Sequence, residues 1–569
     1  MLFKTFFILK KLTLRKISNK LNVQLIAETF LAFGIDHIVL SPGSRNGALT
    51  MQFANDNRFK TFSVVDERSA GFVALGMAQQ IKKPVVVCCT SGSATANYYP
   101  AITEAFFQNV PLIVLSADRP EHLVDNFDGQ TIRQKDIFEK HSVHNVQLSE
   151  SEETDDLTRN MLLTKYALID CINKSAPIHI NMPFSEPLYD YVTEPDIVID
   201  NITIDEKQYP DIDIFDYMRR WNSATKKLVL VGMHSPNVAL NELLGQLAQD
   251  DSVVILNEVT SNIHHPRFFN KIDQVIFPYP EDELEDLKPE ILLTIGQNIV
   301  SKKVKRFLRE HKAQQHWHLD EYWQPDTYQV LTDKIETKPE FFLEQLIGFV
   351  NPKESDYYEK WNTIRLNNEK KHNEYIQDIP FSDLKAFDSI IKNYPENWQI
   401  QYGNSTVIRY GLLFDHKDSN TVFCNRGTSG IDGSTSTAIG ACIASGENTV
   451  MITGDISFFY DSNALWNVNV PKNFRIILIN NGGGNIFKFI PGPSDTDVVE
   501  DYFETKHHLT AEHLAKMFDF DYKIISDLND LENSYNDFYS DGERPKILEI
   551  DTKNSQNDKI LRDYFQFIK

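Results

Sequence analysis

The sequence predicts an α/β protein built from three doubly wound parallel-sheet domains, and three observations carry that prediction. Short apolar, β-branched runs alternate with helical stretches of about 10–15 residues, the pattern of βαβ units on a parallel sheet. The alternation restarts twice, after stretches of different composition. The length of 569 residues is enough for three or four domains of roughly 100–200 residues, each with its own core.

The first block begins near Leu21. Asn22–Phe33 reads as helix, His37–Leu40 and Ser63–Val65 as strands, and Ser69–Gln80 as helix. Pro84–Cys89 is a strand, Tyr98–Phe107 a helix and Pro111–Ala117 a strand, and 176–183 closes the block. Residues 189–215, rich in Asp, Glu, Pro and Tyr without periodicity, read as a linker. A second, smaller block follows, with strands expected at Lys227–Gly232, Val253–Leu256, Gln274–Phe277, Glu290–Ile295 and Trp317–Asp320. The charged helical stretch Glu354–Glu374 makes a second linker, within 353–380. The third block has strands expected at Thr421–Cys424, Thr449–Thr453, Phe474–Ile479 and Lys546–Ile550. The domains expected are therefore 21–188, 189–352 and 381–569, with 1–20 as an extension.

Composition narrows the function. With 57 Lys+Arg against 80 Asp+Glu the formal charge is −23, which argues against nucleic acid or an anionic membrane as the main partner, since both demand a basic surface. A 41% apolar content and a mean hydropathy of −0.35 are ordinary for a globular protein. Five cysteines are too few for a disulfide scaffold, and with Cys88 and Cys89 adjacent inside an apolar run they read as buried thiols of a reducing, cytoplasmic compartment. Residues 1–20 are basic and apolar but lack the uninterrupted core of a signal peptide. They read as a membrane-surface helix or as an upstream start, the latter preferred because nothing downstream requires an anchor.

The richest chemistry lies in Thr449-Val-Met-Ile-Thr-Gly454-Asp455-Ile-Ser457 and, after a helix, Arg475-Ile-Ile-Leu-Ile-Asn480-Asn481-Gly-Gly-Gly484. Each is an apolar strand ending in small polar residues, which places both at the carboxyl ends of parallel strands, where open α/β sheets bind ligands. An Asp side chain, an Asn side chain and a nearby backbone carbonyl are the hard oxygen donors that Mg²⁺ prefers, and the glycines admit a diphosphate. Alone, each half is an ordinary strand and turn. Together they resemble the thiamine-diphosphate signature, with 23 residues between Ile456 and Asn480. Enzymes of that kind need a carboxylate for the cofactor's aminopyrimidine ring. Glu67, in Val64-Val-Asp66-Glu67-Arg68-Ser-Ala-Gly-Phe72, stands where a strand gives way to a small-residue helix. Taken singly, that position would be read as a helix cap.

Further strings carry the resemblance to one family. Ser41-Pro-Gly-Ser-Arg-Asn46, Asp66–Gly71, Thr90-Ser-Gly-Ser93, Ala117-Asp-Arg-Pro120, Gly129-Gln-Thr-Ile-Arg-Gln134, Asn425–Gly433 and Gly484-Asn-Ile-Phe487 resemble the MenD family. These are the 2-succinyl-5-enolpyruvyl-6-hydroxy-3-cyclohexene-1-carboxylate synthases of menaquinone biosynthesis, a branch of the thiamine-diphosphate enzymes of pyruvate decarboxylase-like architecture. The match runs in order from about residue 20 to 495, loosest in the middle block and the tail.

The resemblance implies a transferase that decarboxylates 2-oxoglutarate on thiamine diphosphate and adds the resulting four-carbon carbanion to isochorismate in a 1,4-addition. It implies Mg²⁺ or Mn²⁺ held by Asp455, Asn481 and Gly483, and a homodimer or homotetramer. The pyrimidine-binding domain would be 21–188 and the diphosphate-binding domain 381–569. By correspondence, Glu67, Gln130, Arg409 and Arg426 are the catalytic residues. Ser44, Arg45, Arg119, Gln130, Lys302, Ser405, Arg409, Arg426, Ile486 and Phe487 line the substrate pocket. Glu67, Ser429, Ile431, Gly454, Asp455, Ser457, Asn481, Gly483 and Ile486 hold the cofactor. Both substrates are dianions, and the guanidinium fork suits carboxylates. A spacing of four places Ser405 and Arg409 on one helix face. Lys303 stands where the family has arginine and would forgo bidentate recognition. The pairs His264-His265 and His507-His508 lie away from the Glu67 block and do not reproduce the His-His element of pyruvate decarboxylase-like relatives. Two other readings stay open at this stage, an acetohydroxyacid synthase-like carboligase and a non-catalytic assembly protein on the same units.

Overall fold

The computed structural model describes residues 15–204, 207–277, 279, 284–488 and 492–569. Residues 1–14, most of the N-terminal extension, lie outside the described residues. Two compact units divide the chain: one holds most of residues 1–205, the other 79–81, 103–109 and 206–569.

In the first unit, β1 (Ile17–Ser18) pairs antiparallel with β8 (Tyr191–Val192), so both the end of the extension and the start of the stretch read as a linker carry ladder hydrogen bonds. The main sheet contains β2 (His37–Leu40), β3 (Lys60–Ser63), β4 (Val85–Cys89), β5 (Leu112–Asp118), β6 (His144–Gln147) and β7 (Ile178–Pro183). It is wholly parallel, in the order β3-β2-β4-β5-β7-β6. Helices cover both faces, and the central strands are therefore near-continuous apolar runs, with every residue of Val85–Cys89 buried.

The second unit carries two more parallel six-stranded sheets. One comprises β9 (Lys227–Val231), β10 (Val253–Asn257), β11 (Phe268–Phe269), β12 (Ile291–Ile295), β13 (Gln315–Leu319) and β14 (Leu331–Ile335), in the order β11-β10-β9-β12-β13-β14. The other comprises β15 (Gln399–Tyr402), β16 (Thr421–Cys424), β17 (Thr449–Gly454), β18 (Phe474–Asn480), β19 (Asp521–Ile525) and β20 (Lys546–Asp551), in the order β16-β15-β17-β18-β20-β19. This order repeats that of the first unit's sheet, strand for strand. The three-sheet α/β architecture expected from the alternation is thus the observed one.

Several details depart from the sequence reading, among them β3, which spans Lys60–Ser63 where Ser63–Val65 was expected. Gln274–Phe277, expected as a strand, belongs to the helix Ile272–Ile276 and its C-cap. A four-residue apolar run is ambiguous between the two periods, and here tertiary contact decides: Ile272, Val275 and Ile276 are buried and the Gln274 amide donates to the Leu413 carbonyl at 2.7 Å. The charged stretch expected to be helical is a 22-residue helix, Tyr357–Asp378, and what differs from the reading as a linker is its packing. Its Tyr357 and Trp361 are fully buried in a cluster with Leu228, Val304 and Phe307. Among the described residues no helix is long and apolar enough to cross a membrane.

Candidate functional site

In the first unit the chain runs from β2 to β3 on one side and, by way of β4, to the other, which makes the β2/β4 boundary a topological switch point. The loops leaving these strands are Ser41–Asn46 and Thr90–Ser93. They touch: the Arg45 N–H donates to Thr90 Oγ1 at 3.2 Å, and a Cβ on Gly43 would lie 2.3 Å from that of Thr90. The loop after β5 closes on the same place. Gly92 sits at φ +87°, where a Cβ would lie 3.2 Å from the Gln130 carbonyl oxygen, and its N–H donates to Gln134 Oε1 at 2.8 Å. Arg119 holds that loop, donating from Nη2 to the Gly129 carbonyl at 3.0 Å with Nε 3.6 Å from Asp128. Ser44, Arg45, Arg119 and Gln130 are thereby gathered at one end of the sheet. Ser44 is exposed, whereas Arg45 is buried, donating to the Phe184 carbonyl at 2.8 Å while its Nε has no hydrogen-bond partner among the described residues.

Glu67 is the first residue of the helix Glu67–Ile81, capped by the Asp66 carboxylate, which accepts from the N–H groups of Arg68 and Ser69. The sequence therefore places it correctly, and the cap is its neighbour rather than Glu67 itself. Its half-buried carboxylate accepts a long bond from Asn97 Nδ2 at 3.4 Å, on the helix that follows the Thr90–Ser93 turn.

The last sheet has the corresponding switch point between β15 and β17. Asp455 follows β17 and Asn481 follows β18, and the two meet. Asp455 Oδ2 accepts from the N–H groups of Gly482 and Gly483 at 2.8 and 3.0 Å, and Oδ1 accepts from Ile456 N–H at 2.7 Å. Asn481 donates from Nδ2 to Asp383 Oδ2 at 2.8 Å, which leaves its Oδ1 buried with no hydrogen-bond partner among the described residues. Gly483, at φ +153°, fits only as glycine, since a Cβ would lie 2.7 Å from the Glu504 carbonyl. Gly454 differs: among the described residues a Cβ there would make only a 3.6 Å contact with Val407, and none of them demands the glycine. A carboxylate, an orphaned amide oxygen and a glycine turn form a donor set suited to a hard divalent cation bearing phosphate oxygens.

Around this centre Ser457 donates from Oγ to the Ile431 carbonyl at 3.0 Å, fixing the loop that carries Ser429 and Ile431. Asn404 organises the same loop, donating to the carbonyls of Asn425 and Gly430 at 2.7 Å each and accepting from Arg426 Nη1 at 2.9 Å. Ser405 lies at φ +76°, ψ −133° and Ser429 at φ +65°. Strain of this kind in non-glycine residues concentrates at ligand clamps. It also corrects one expectation. Ser405 is the N-cap of a six-residue helix, Thr406–Gly411, so a helical spacing of four does not relate it to Arg409. Ile486 and Phe487 are half-buried on a short 3₁₀ turn, Phe487 against Phe503 with ring centroids 5.6 Å apart.

Other groups in the second unit carry no sequence motif. Glu104 is buried and accepts four hydrogen bonds, from Gly427 N–H, Thr428 N–H, Thr428 Oγ1 and Gln108 Nε2, so it anchors the loop of Arg426, Ser429 and Ile431. Arg409 lies in the fields of Asp273, Arg426 and Glu258, and burial lowers its pKa from the ordinary arginine value. Glu258 accepts from the N–H groups of Val300 and Ser301 at 2.6 and 2.7 Å, and burial pushes its carboxyl up to about 7. Lys302, the expected ligand, is exposed at the first turn of the helix Lys302–Glu310, and Lys303 Nζ lies 3.9 Å from the centre of the Phe277 ring. It is Lys305 that turns inward, donating to Asn298 Oδ1 at 2.6 Å, its pKa pushed down to about 8 by burial. With Arg426, Asn298 and Tyr328 it lines a cavity of about 310 Å³ at the switch point between β9 and β12. His507, set aside on sequence, approaches Asp455 Oδ2 with Nε2 at 3.3 Å, and its Nδ1 accepts from the Leu509 N–H. No local pattern announces either contact, because both depend on loops that meet only in the fold.

Comparison with known proteins agrees with this geometry. Residues 22–145 match the family described as thiamine pyrophosphate enzyme, N-terminal TPP binding domain. The chain is 48% identical over 545 residues to a 2-succinyl-5-enolpyruvyl-6-hydroxy-3-cyclohexene-1-carboxylate synthase of Flavobacterium psychrophilum, covering 95% of this chain and 98% of that protein. It is 43% identical over 560 residues to the protein of that name from Christiangramia forsetii, covering 95% and 97%. For the one from Porphyromonas gingivalis the identity is 34% over 565 residues, covering 97% and 98%.

Proposed function

The chain belongs to the 2-succinyl-5-enolpyruvyl-6-hydroxy-3-cyclohexene-1-carboxylate synthase family of thiamine-diphosphate enzymes, and we propose that it decarboxylates 2-oxoglutarate and joins the four-carbon product to isochorismate, in menaquinone biosynthesis. The observation that carries this reading is the approach of Asp455 to the Asn481–Gly483 turn, with Asn481 Oδ1 buried and without a hydrogen-bond partner among the described residues. Asp455 Oδ, Asn481 Oδ1 and the Gly483 carbonyl would hold Mg²⁺ or Mn²⁺, and with it the diphosphate. Ser429, Ile431, Gly454, Ser457 and Ile486 complete the cofactor's bed.

Thiamine diphosphate supplies the carbon nucleophile and the electron sink for decarboxylation and carbon–carbon bond formation. The protein supplies position and charge. Glu67, the first residue of its helix, would hydrogen-bond the pyrimidine ring and serve as the acid–base group there. Arg45, Arg119, Arg409 and Arg426 bind the carboxylates, with Ser44 and Ser405 as further donors. Gln130 orients the second substrate, and Ile486 and Phe487 exclude water from the reacting carbon. The assignment of 21–188 to the pyrimidine, 381–569 to the diphosphate and 189–352 to a central domain, joined to the last by 353–380, follows from the same reading. A homodimer or homotetramer in the cytoplasm suits it, as do five free, buried cysteines.

The test is direct. Purified protein with Mg²⁺, thiamine diphosphate and 2-oxoglutarate consumes isochorismate, followed by ultraviolet absorbance. Turnover of pyruvate in place of 2-oxoglutarate would mark an acetohydroxyacid synthase-like carboligase instead.

A further inference from the structure

Asn481 is an amide, and an amide offers a cation its oxygen only if something turns its nitrogen the other way. The group that does so is Asp383, far from Asn481 in sequence and part of no motif. Asp383 is 1% exposed and opens the helix Asp383–Asn393, immediately after the N-cap Ser382. Its place is set from three sides. Its backbone N–H donates to Asn557 Oδ1 at 2.8 Å, its Oδ1 accepts from Thr552 Oγ1 at 2.5 Å, and its Oδ2 accepts from Asn481 Nδ2 at 2.8 Å. Asn557 closes the circuit by donating from Nδ2 to the Thr552 carbonyl at 3.3 Å.

A carboxylate only accepts, so the Asn481 NH₂ must face it and Oδ1 must face away. That Oδ1 is buried without a hydrogen-bond partner among the described residues, which is costly unless a ligand satisfies it. Among the described residues nothing else fixes the flip in the same way: the hydrogen bond from Asn485 Nδ2 to the Asn481 carbonyl at 3.1 Å uses the backbone and is indifferent to the side chain.

We propose that Asp383 is a positioning residue for the divalent cation: through its Oδ2 it locks the Asn481 amide with Oδ1 presented to the metal, and the Thr552–Asn557 pair holds Asp383 in turn. The proposal rests on the thiamine-diphosphate reading of the site. Partners behind a metal ligand are commonly worth about 10–100-fold in metal affinity.

Charge-swap variants test it. In Asp383→Asn the new amide competes with that of Asn481, and one of the two must turn its nitrogen toward the cation or leave an N–H unpaired. Mn²⁺ affinity in the presence of thiamine diphosphate, read as free Mn²⁺ by electron paramagnetic resonance, should fall about 10–100-fold. The double variant Asp383→Asn/Asn481→Asp restores the pairing with its polarity reversed, the new Asn donating and the new Asp offering its second oxygen to the metal. Its affinity should return to within about threefold of the parent, a recovery that a merely structural role for Asp383 does not predict. Parental affinity in Asp383→Asn overturns the proposal. So does a folded double variant no better than the single one. If Asp383→Asn fails to fold, the double variant decides alone by the same threefold criterion. Parent protein that takes up no Mn²⁺ with thiamine diphosphate refutes the underlying reading of the site itself, an outcome distinct from the others.

Discussion

Replacing Glu104 by glutamine tests how the Arg426–Ile431 loop is held. The carboxylate accepts four hydrogen bonds, two on each oxygen: Gly427 N–H and Gln108 Nε2 on Oε1, Thr428 N–H and Thr428 Oγ1 on Oε2. Glutamine keeps one accepting oxygen and puts an NH₂ against the donors of the other, so two of the four bonds are lost whichever way the amide turns. Bonds to a charged group are worth about 1.5–3 kcal/mol each, and the Thr428 hydroxyl can rotate to accept instead, which sets the expected cost at about 3 kcal/mol. Spread over a cooperative unit of roughly 370 residues, with about 2 cal/mol/K of unfolding entropy per residue, this lowers the melting temperature by about 4 °C. The assay is calorimetric melting of the cofactor-free protein at fixed concentration, with the KM for 2-oxoglutarate measured alongside. Loosening a loop that carries Arg426, Ser429 and Ile431 should raise that KM severalfold. A variant melting within about 1 °C of the parent with unchanged KM would show that Glu104 does not anchor the loop and would refute the reasoning.

Four further outcomes follow from the same geometry. Glu258 has its pKa raised from 4.5 to about 7 in the folded protein, by burial above all. The folded state therefore binds a proton that the unfolded state has released, and the contribution is complete below pH 4.5 and lost as pH rises through 7, on the order of 3 kcal/mol in full. Glu258→Gln should flatten that part of the stability profile between about pH 5 and 8, and a parental pH slope in the variant would contradict it. Glu67→Gln should leave cofactor affinity, read by calorimetry, within a few fold while cutting kcat by about 10²–10⁴; undiminished turnover would remove Glu67 from proton exchange. Arg426→Lys keeps the charge but not the fork, and a rise of about tenfold or more in KM for the oxoacid is expected, against no change if the residue serves the fold alone. Gln130→Ala with unchanged carboligation would exclude Gln130 from the second half-reaction.

How much of this was legible in the chain follows from which interactions are local. β2 and β16 coincide with the expected runs His37–Leu40 and Thr421–Cys424, because a strand buried on both faces must be apolar throughout and is short. In the three main sheets β6, β11, β14, β15 and β19 escaped notice. Edge strands such as β14 and β19 are half-exposed, and β15 reads Gln399-Ile-Gln-Tyr402, its two glutamines buried in the sheet. The same contrast holds in the site. Asp455, Asn481 and Glu67 are found at a strand end or a helix start, where neighbours in sequence dictate the geometry. In the second unit Glu104 holds the Arg426–Ile431 loop, Asp383 contacts Asn481 and His507 approaches Asp455, all from other elements, and nothing beside them in the chain says so.

What the sequence by itself determined, then, is the alternating α/β pattern, the strand-end glycines and acids, and the family resemblance, all properties of short segments read in order. Only the tertiary structure decided that the apolar run at Val275 is helical, that Ser405 caps its helix at positive φ, and that Lys305, not Lys302, turns inward. It alone decided that a distant carboxylate sets the direction of the Asn481 amide. The physical reason is that backbone pattern is written by local sterics and burial period, whereas the direction of a polar side chain is set by whichever donor or acceptor the fold brings within about 3 Å of it.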